Sequence, residues 1–167
     1  TMSGAILVTY ATRCGSTGEV AEAVATALRE QGLAVDIRPV RQVRGVEEYG
    51  AVVLGAPLYM FRWHRDALRF LSSHRRALAG RPIAVFSLGP FTTGDEKEWQ
   101  GSREQLDRAL AEFPWLAPAA VTVFGGKLEP ARLPLAYRLL MPRLPATDLR
   151  DWAAVRAWAD DLPVKLL

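Results

Sequence analysis

A segment rich in hydroxyl groups follows the first apolar run of the chain. Its residues, in order, are Thr12, Arg13, Cys14, Gly15, Ser16 and Thr17. They supply three hydroxyl groups, one glycine and the free backbone N–H groups of a predicted helix N-terminus. Such groups bind phosphate through hydrogen bonds, and the helix dipole favours a negative charge there. The segment therefore predicts a phosphate site held mainly by neutral donors. The same residues also fit a simpler function, in which Ser16 or Thr17 only caps the helix.

The spacing of these residues excludes several other phosphate-binding motifs. The Walker loop needs a lysine before its Ser or Thr, and no lysine lies near this segment. The dinucleotide fingerprint needs three glycines, and only Gly15 and Gly18 are present. The loop of a small tyrosine phosphatase needs an arginine six residues after its cysteine, and that position after Cys14 is Val20. Cys14 is therefore interpreted as a backbone contact rather than a nucleophile.

Two further loops combine aromatic rings with glycine or proline. One follows the third predicted strand and contains Pro57, Leu58 and Tyr59, with Phe61 and Trp63 close behind. The other follows the fourth predicted strand and contains Leu88, Gly89, Pro90, Phe91 and Gly94. Aromatic side chains suit a flat apolar ring, and the N–H groups of the glycines suit its polar edge. The rings would equally close the end of the sheet without binding a ligand.

The elements that must position these loops alternate along the chain. Short apolar runs predict strands at residues 5–8, 35–37, 51–54, 83–86 and 120–124. Apolar stripes with helical spacing predict helices around residues 20–28, 68–78, 106–113 and 152–162. Gly32 is expected to end the first helix, and Asp148 to cap the last. The alternation predicts an α/β three-layer sandwich, in which a five-stranded parallel sheet of order 2-1-3-4-5 carries helices on both faces.

Taken together, the three loops resemble those of the flavodoxin superfamily, and more closely the flavodoxin-domain family related to menaquinone-dependent protoporphyrinogen oxidase. The family's T-x-x-G-S/T-T signature is matched by Thr12, Gly15, Ser16 and Thr17. Further similarity lies in Gly55-Ala56, Trp63-His64, Ala67-Leu68, residues 123–128, the long segment 127–145 and Asp151-Trp152. The resemblance covers almost the whole chain and implies one flavodoxin-like domain over residues 1–167.

The resemblance also implies a function. It implies that the chain binds flavin mononucleotide (FMN) and is an oxidoreductase whose chemistry is carried by the flavin, with no catalytic side chain. It further implies an unidentified redox partner, with a quinone or a porphyrinogen as candidate substrates. Three alternatives stay open: a small flavodoxin-type electron carrier, a protein that binds a deazaflavin, and a binding or regulatory module without a cofactor. Arg62, Arg65 and Arg69 would suit the anionic tail of a deazaflavin.

The composition is that of a globular protein. The chain has 167 residues, half of them apolar, and a formal net charge of +3. No apolar run approaches the ~18 residues that a membrane-spanning helix needs, and the first run is too short for a signal peptide. One cysteine excludes an internal disulfide and a multi-cysteine metal site. A cytoplasmic location is expected, and neither a metal nor nucleic acid is expected as a ligand.

Basic residues are concentrated in two segments. Residues 61–81 contain six arginines and one aspartate. Residues 132–144 combine Arg132, Arg138 and Arg143 with five leucines, a tyrosine and a methionine. An amphipathic basic segment of this kind predicts a docking surface for a redox partner, a quinone or a membrane face, so that the protein is peripheral at the membrane. The same leucines also fit an ordinary lid packed onto the sheet.

Overall fold

Five apolar strands form a parallel sheet at the centre of the molecule. The computed structural model describes residues 4–12, 15–59 and 61–167. The strands are β1 (Ala5–Tyr10), β2 (Val35–Pro39), β3 (Tyr49–Tyr59), β5 (Ile83–Leu88) and β6 (Ala120–Phe124). They pair in the order β2-β1-β3-β5-β6, and a two-residue strand, β4 (Arg62–Trp63), pairs antiparallel with β3. The predicted order 2-1-3-4-5 is confirmed, since β5 and β6 are the fourth and fifth strands of that prediction.

Helices cover both faces of the sheet. On one face pack α1 (Ser16–Glu30) and α6 (Trp152–Leu166), and on the other α2 (Arg65–Ser73), α3 (Arg75–Leu78) and α4 (Glu96–Ala111). Between β6 and α6 the chain forms β7 (Lys127–Leu128), a short helix α5 (Leu135–Leu140) and β8 (Thr147–Asp148). Strands β7 and β8 pair with each other in antiparallel fashion. The predicted three-layer sandwich is confirmed.

Alternate side chains of β1 supply the two cores. Ile6 and Val8 pack with α1 and α6, whereas Leu7 packs with the opposite layer, and all three are fully buried. Because both faces of the strand are covered, its apolar pattern is continuous rather than alternating. Each such side chain stabilises the fold by about 1.5–3 kcal/mol relative to exposure. The loops at the strand ends are therefore attached to a well-packed frame.

Two sequence-based helix predictions are wrong in detail. The apolar stripe over residues 68–78 predicts one helix, but the chain forms α2 and α3, with His74 between them at φ −110°. The cap of α6 is Asp151, whose carboxylate accepts a hydrogen bond from the N–H of Ala154 at 3.1 Å, and not Asp148. Asp148 lies in β8, where its carboxylate binds Arg150 instead. Both aspartates precede the apolar stripe, so the pattern alone does not separate them.

Two other local predictions can be compared with the structure. Gly32 ends α1 as predicted, with φ +84° and its N–H donating to the carbonyl of Arg29 at 2.9 Å. Trp63 is a weaker candidate than Tyr59 for contact with a flat ring, because the sequence also allows it to belong to the following helix. It lies in β4, where its indole N–H donates to the carbonyl of Ala56 at 3.0 Å. That bond holds the buried Trp63 against the sheet, so Trp63 does not face the cleft.

The described residues, 4–12, 15–59 and 61–167, contain neither a membrane-spanning helix nor a cluster of metal-binding side chains. Within these ranges no helix combines the length and the apolar composition that a bilayer crossing requires. In the same part of the chain, no three His, Cys, Asp or Glu side chains lie close enough together to hold a metal ion.

Candidate functional site

A cleft of about 470 Å³ opens at the edge of the sheet where β3 and β5 end and α1 begins. Six of the residues proposed from the sequence line it: Ser16, Pro57, Leu58, Tyr59, Pro90 and Phe91. The carboxyl ends of neighbouring parallel strands meet at one edge, so loops that are distant in the sequence come together here. The structure therefore joins the three loops that the sequence pattern selected.

The start of α1 is a helix N-terminus without a side-chain cap. Gly15 occupies the N-cap position with φ +92°, and no described side chain accepts a hydrogen bond from the first N–H groups of the helix. The N–H of Gly15 itself donates to Oγ1 of Thr12 at 2.8 Å. A hydroxyl that accepts a hydrogen bond keeps its own hydrogen, so Thr12 retains a donor for another partner. Unpaired N–H groups and the helix dipole together favour an anion at this position.

Thr17 supplies a further polar group at the same helix start. It is fully buried, and its Oγ1 has no hydrogen-bond partner in the part of the chain that the structure describes. Leaving such a group unsatisfied costs about 1–3 kcal/mol. Thr9 and Ser87 also carry buried hydroxyls without a partner in those residues, but they lie within β1 and β5. Thr17 is thus the orphaned hydroxyl at a helix N-terminus, where a phosphate oxygen would satisfy it.

A nearly buried arginine offsets the negative charge in the first turn of α1. The Arg150 side chain is only 5% exposed, and its Nη1 lies 3.0 Å from a carboxylate oxygen of Glu19. Its Nε and Nη2 bind the carboxylate of Asp148 at 2.9 and 2.8 Å, and its guanidinium lies 4.8 Å from the ring of Trp152. Hydrogen bonding to Arg150 holds the pKa of Asp148 below its usual value. Sequence analysis missed Arg150, because Glu19 is 131 positions away along the chain.

Other proposed residues lie beside the cleft or outside the described ranges. Arg13 and Cys14 fall outside the residues that the structure describes. Thr12 and Gly15 are exposed at the start of α1, next to Ser16. Leu88 is fully buried in the core on the side of α1 and α6, so it supports the cleft without lining it.

The two glycines of the loop after β5 donate their N–H groups within the protein. The N–H of Gly89 donates to the carbonyl of Phe124 at 2.9 Å, and that of Gly94 to Oε1 of Glu98 at 2.8 Å. Both N–H groups therefore have partners within the protein, which conflicts with the expectation that they donate to the polar edge of a bound ring. Hydrogen-bond donors to such a ring would come from other groups of the cleft.

Glu98 holds this loop in one shape. Its Oε2 accepts hydrogen bonds from the hydroxyl and the N–H of Thr92 at 2.5 and 3.3 Å, while its own N–H donates to the Asp95 carboxylate at 2.8 Å. Asp95 is thus the N-cap of α4, while the Glu98 side chain reaches past it to Gly94 and Thr92; the N–H of Asp95 donates to Oγ1 of Thr93 at 3.3 Å. Burial raises the pKa of Glu98, but the hydrogen bonds from Thr92 and Gly94 outweigh burial and hold this pKa below its usual value. The Asp-x-x-Glu spacing of Asp95 and Glu98 is a sequence signal for the N-terminus of α4.

Strand β7 and the segment that follows it form a second wall of the cleft, whose inward-facing residues the sequence analysis did not distinguish. From this part of the chain Lys127, Leu128, Glu129, Leu133, Tyr137, Met141 and Leu144 line the cleft, and α4 adds Glu98, Gly101, Ser102 and Gln105. The ring centroids of Tyr137 and Tyr59 lie 6.4 Å apart. Lys127 Nζ lies 3.0 Å from a carboxylate oxygen of Glu129. The prolines of this segment signalled an unusual loop, but not which of its side chains turn inward.

Phe91 is held in the cleft by the chain that follows β6. A Cβ atom on Gly126 would lie 2.1 Å from the Phe91 ring, so only glycine allows this close approach. The hydroxyl of Thr147 in β8 donates to the carbonyl of Phe91. The ring is therefore fixed between the sheet and the β7–β8 ribbon.

Comparison with solved structures relates this architecture to flavodoxins. Oxidised flavodoxin 1 from Bacillus cereus matches with a TM-score of 0.64 and 18% identity, covering 98% of this chain and 99% of that one. Rubredoxin oxygen:oxidoreductase from Desulfovibrio gigas matches with a TM-score of 0.58 and 14% identity, covering 99% of this chain. The match spans only 38% of the Desulfovibrio protein. At these identities the likeness concerns the fold.

Sequence comparison gives the family. Protoporphyrinogen IX dehydrogenase (quinone) of Escherichia coli K12 is 27% identical over 125 residues, which are 74% of this chain and 68% of that protein. The family model described as flavodoxin domain matches residues 7–147, which include most of β1, the start of α1 and all residues that line the cleft. The chain therefore belongs to the flavodoxin domain family, a family of flavoproteins that transfer electrons.

Proposed function

We propose that this protein binds FMN, with the phosphate at the start of α1 and the isoalloxazine ring in the adjoining cleft, and that it passes electrons through the bound flavin. The observation that carries the proposal is the buried hydroxyl of Thr17, which has no partner among the described residues and lies at a helix N-terminus that no described side chain caps. A phosphate group satisfies both features at once. A neutral ligand would leave the helix dipole without an opposite charge.

The residues of the site have distinct binding roles in this proposal. Thr12, Ser16 and Thr17 donate hydroxyl hydrogens to the phosphate, together with the N–H groups of the first turn. Tyr59 and Phe91, which line the cleft, provide apolar surface for the ring and exclude water from it. The flavin, when bound, supplies the redox chemistry, and the surrounding protein sets its orientation and electronic environment.

The electron acceptor or donor in this proposal is a small, flat, apolar molecule such as a quinone or a porphyrinogen, which meets the bound ring at the mouth of the cleft. The cleft volume of about 470 Å³ lies in the usual range of small-molecule sites, roughly 300–1,000 Å³, and in our proposal the flavin ring takes up part of it. Leu133, Tyr137 and Met141 make the second wall largely apolar, which favours an apolar molecule beside the ring. The name of the Escherichia coli relative, which includes both a porphyrinogen and a quinone, supports this choice.

Two alternatives within the same fold can be separated by absorption spectroscopy. A deazaflavin would use Arg62, Arg65 and Arg69, which are all exposed. A simple electron carrier would also bind FMN, but its reduced flavin would react with a soluble quinone only by collision, at a rate that rises linearly with quinone concentration. We expect two visible flavin bands from the FMN-loaded protein, and reoxidation by a quinone in the absence of oxygen at a rate that saturates as the quinone concentration rises. A single blue-shifted band would indicate a deazaflavin, and a colourless protein that ignores added FMN would indicate a module without a cofactor.

The phosphate site itself is tested by Thr17→Val. Loss of one hydrogen bond to a charged group costs about 1.5–3 kcal/mol, so FMN affinity should fall about ten- to a hundredfold. Riboflavin, which lacks the phosphate, should bind the variant and the unchanged protein alike. Thr122→Val in β6, outside the cleft, is the matched control and should leave both affinities unchanged. Fluorescence quenching on titration measures all of these values, and equal weakening of FMN and riboflavin would contradict a phosphate role for Thr17.

A further inference from the structure

Large apolar side chains are exposed around the mouth of the cleft. Helix α5 turns Tyr137 inward and leaves Leu135, Leu139 and Leu140 outside, at 62%, 72% and 81% exposure. Phe61, which also lines the cleft, is 83% exposed. We call these four side chains the mouth surface. Three of them lie on one six-residue helix, and such a cluster of exposed apolar side chains beside a cleft is typical of an interaction site.

Helix α5 lacks the usual reason for a helix to form. A surface helix normally packs an apolar stripe onto the core, yet none of the residues 135–140 is buried. A six-residue helix is also too short to be stable by its own hydrogen bonds. An apolar partner on Leu135, Leu139 and Leu140 would supply the burial that the helix lacks.

Arginines without acidic partners surround the mouth surface. Arg138 and Arg143 flank the leucines, and Arg62 and Arg65 follow Phe61; all four are exposed. None of the four forms an ion pair within the described residues. Neither residues 130–147 nor residues 57–65 contain an aspartate or a glutamate. These two segments therefore carry only positive charge and complement an anionic partner, whereas the nearest carboxylates in the cleft, Glu98 and Glu129, already accept from Thr92, Gly94 and Lys127.

We propose that the mouth surface docks onto an anionic lipid bilayer, with its apolar side chains in the outer acyl region and Arg138 and Arg143 at the lipid phosphates. A membrane interface has acyl chains below a layer of phosphate headgroups. The apolar side chains of the mouth surface suit the acyl chains, and long arginine side chains beside them can extend to the headgroups. One apolar helix alone binds a membrane weakly, and basic residues supply the second attraction. This inference rests on the proposed function, since it would let a lipid-soluble quinone enter the cleft directly from the bilayer.

Vesicle co-sedimentation tests the proposal. The FMN-loaded protein is mixed with vesicles of equal parts phosphatidylcholine and phosphatidylglycerol, or of phosphatidylcholine alone, at low and at physiological salt. Protein is followed on gels and flavin by absorbance, so that loss of cofactor and loss of docking are read separately. We expect binding to the anionic vesicles that weakens with salt, and little binding to the neutral ones.

Two substitutions and two matched controls locate the surface. Arg138→Glu changes the local charge by two, which at about 1 kcal/mol per charge lowers the partition coefficient about thirtyfold. Leu140→Glu removes an apolar contact and should lower it at least about tenfold. Arg76→Glu in α3 and Val164→Glu near the end of α6 make the same changes at exposed positions outside the cleft. The controls should bind like the unchanged protein, and circular dichroism should show all four variants folded.

Three outcomes would overturn the proposal. The first is full recovery of flavin-loaded protein in the supernatant at low salt, which leaves the proposed FMN function intact. The second is an equal effect of the control substitutions. The third is a dimer in solution that Leu140→Glu dissociates, because a second copy of the chain would then cover the mouth surface.

Discussion

Several side chains of the site make contacts between elements that cannot be deduced from the order of the strands. Arg150 joins the first turn of α1 to β8, and the buried hydroxyl of Thr17 has no hydrogen-bond partner within the described residues. Tyr59 and Tyr137 bring the end of β3 and helix α5 to within 6.4 Å between ring centroids. These side chains are polar or aromatic, so specific partners determine their positions. The positions of the apolar core side chains are determined by burial alone.

At the residue scale, Tyr59 provides a test of ring binding. Replacing it by alanine removes an aromatic surface from the cleft and should lower FMN affinity about tenfold, with less quenching of flavin fluorescence. Tyr59→Phe keeps the ring and should restore both properties. If Tyr59→Ala changed neither the affinity nor the quenching, the ring would have to bind elsewhere in the cleft.

At the scale of elements, the loop between β5 and α4 is shaped by the helix that follows it. The Glu98 carboxylate accepts hydrogen bonds from Thr92 and Gly94 and lines the cleft. The opposite side of the loop is fixed by Gly126, which leaves room for the Phe91 ring. A loop fastened from both sides presents Phe91 in one position, so less conformational entropy is lost when a ligand binds.

Acidification should loosen this loop. The folded-state pKa of Glu98 lies below its usual value, so its carboxylate stabilises the fold above the ordinary glutamate range. This contribution, about 1 kcal/mol for a hydrogen-bonded surface carboxylate, is lost as the pH falls through the lowered pKa. Glu98→Gln should therefore unfold at lower urea concentration at neutral pH and show a flatter loss of stability towards acid. Glu104→Gln, an exposed change in the same helix, is the control. Identical pH profiles for Glu98→Gln and the unchanged protein would remove Glu98 from this role.

At the scale of the whole molecule, the strand order and the place of the cleft could be predicted from the sequence. Continuous apolar runs such as residues 51–54 and 83–86 predict buried strands from local sequence alone. Because these strands pair in parallel, the loops that follow them meet at one edge of the sheet. The second wall could not be predicted in the same way. Whether Tyr137 or Leu140 turns inward depends on how the proline-rich segment packs, which no short-range periodicity records. Glu98 lies between these cases, because the Asp-x-x-Glu spacing is visible in the sequence but the contacts of Glu98 with Thr92 and with the cleft are not.

Binding of FMN should stabilise the entire fold, because the ligand touches α1, β3 and the loop after β5 together in our proposal. A ligand that binds only the folded state adds about 2.7 kcal/mol at a hundredfold excess over its dissociation constant. For a chain of 167 residues each kcal/mol raises Tm by about 2–4 °C, so FMN should raise Tm by about 5–10 °C. Riboflavin at the same concentration should raise it less, since it lacks the phosphate that Thr17 and the start of α1 would bind. Differential scanning fluorimetry or calorimetry measures both shifts. An unchanged Tm with FMN would indicate a module without a cofactor, and equal shifts with FMN and riboflavin would place the binding energy in the ring alone.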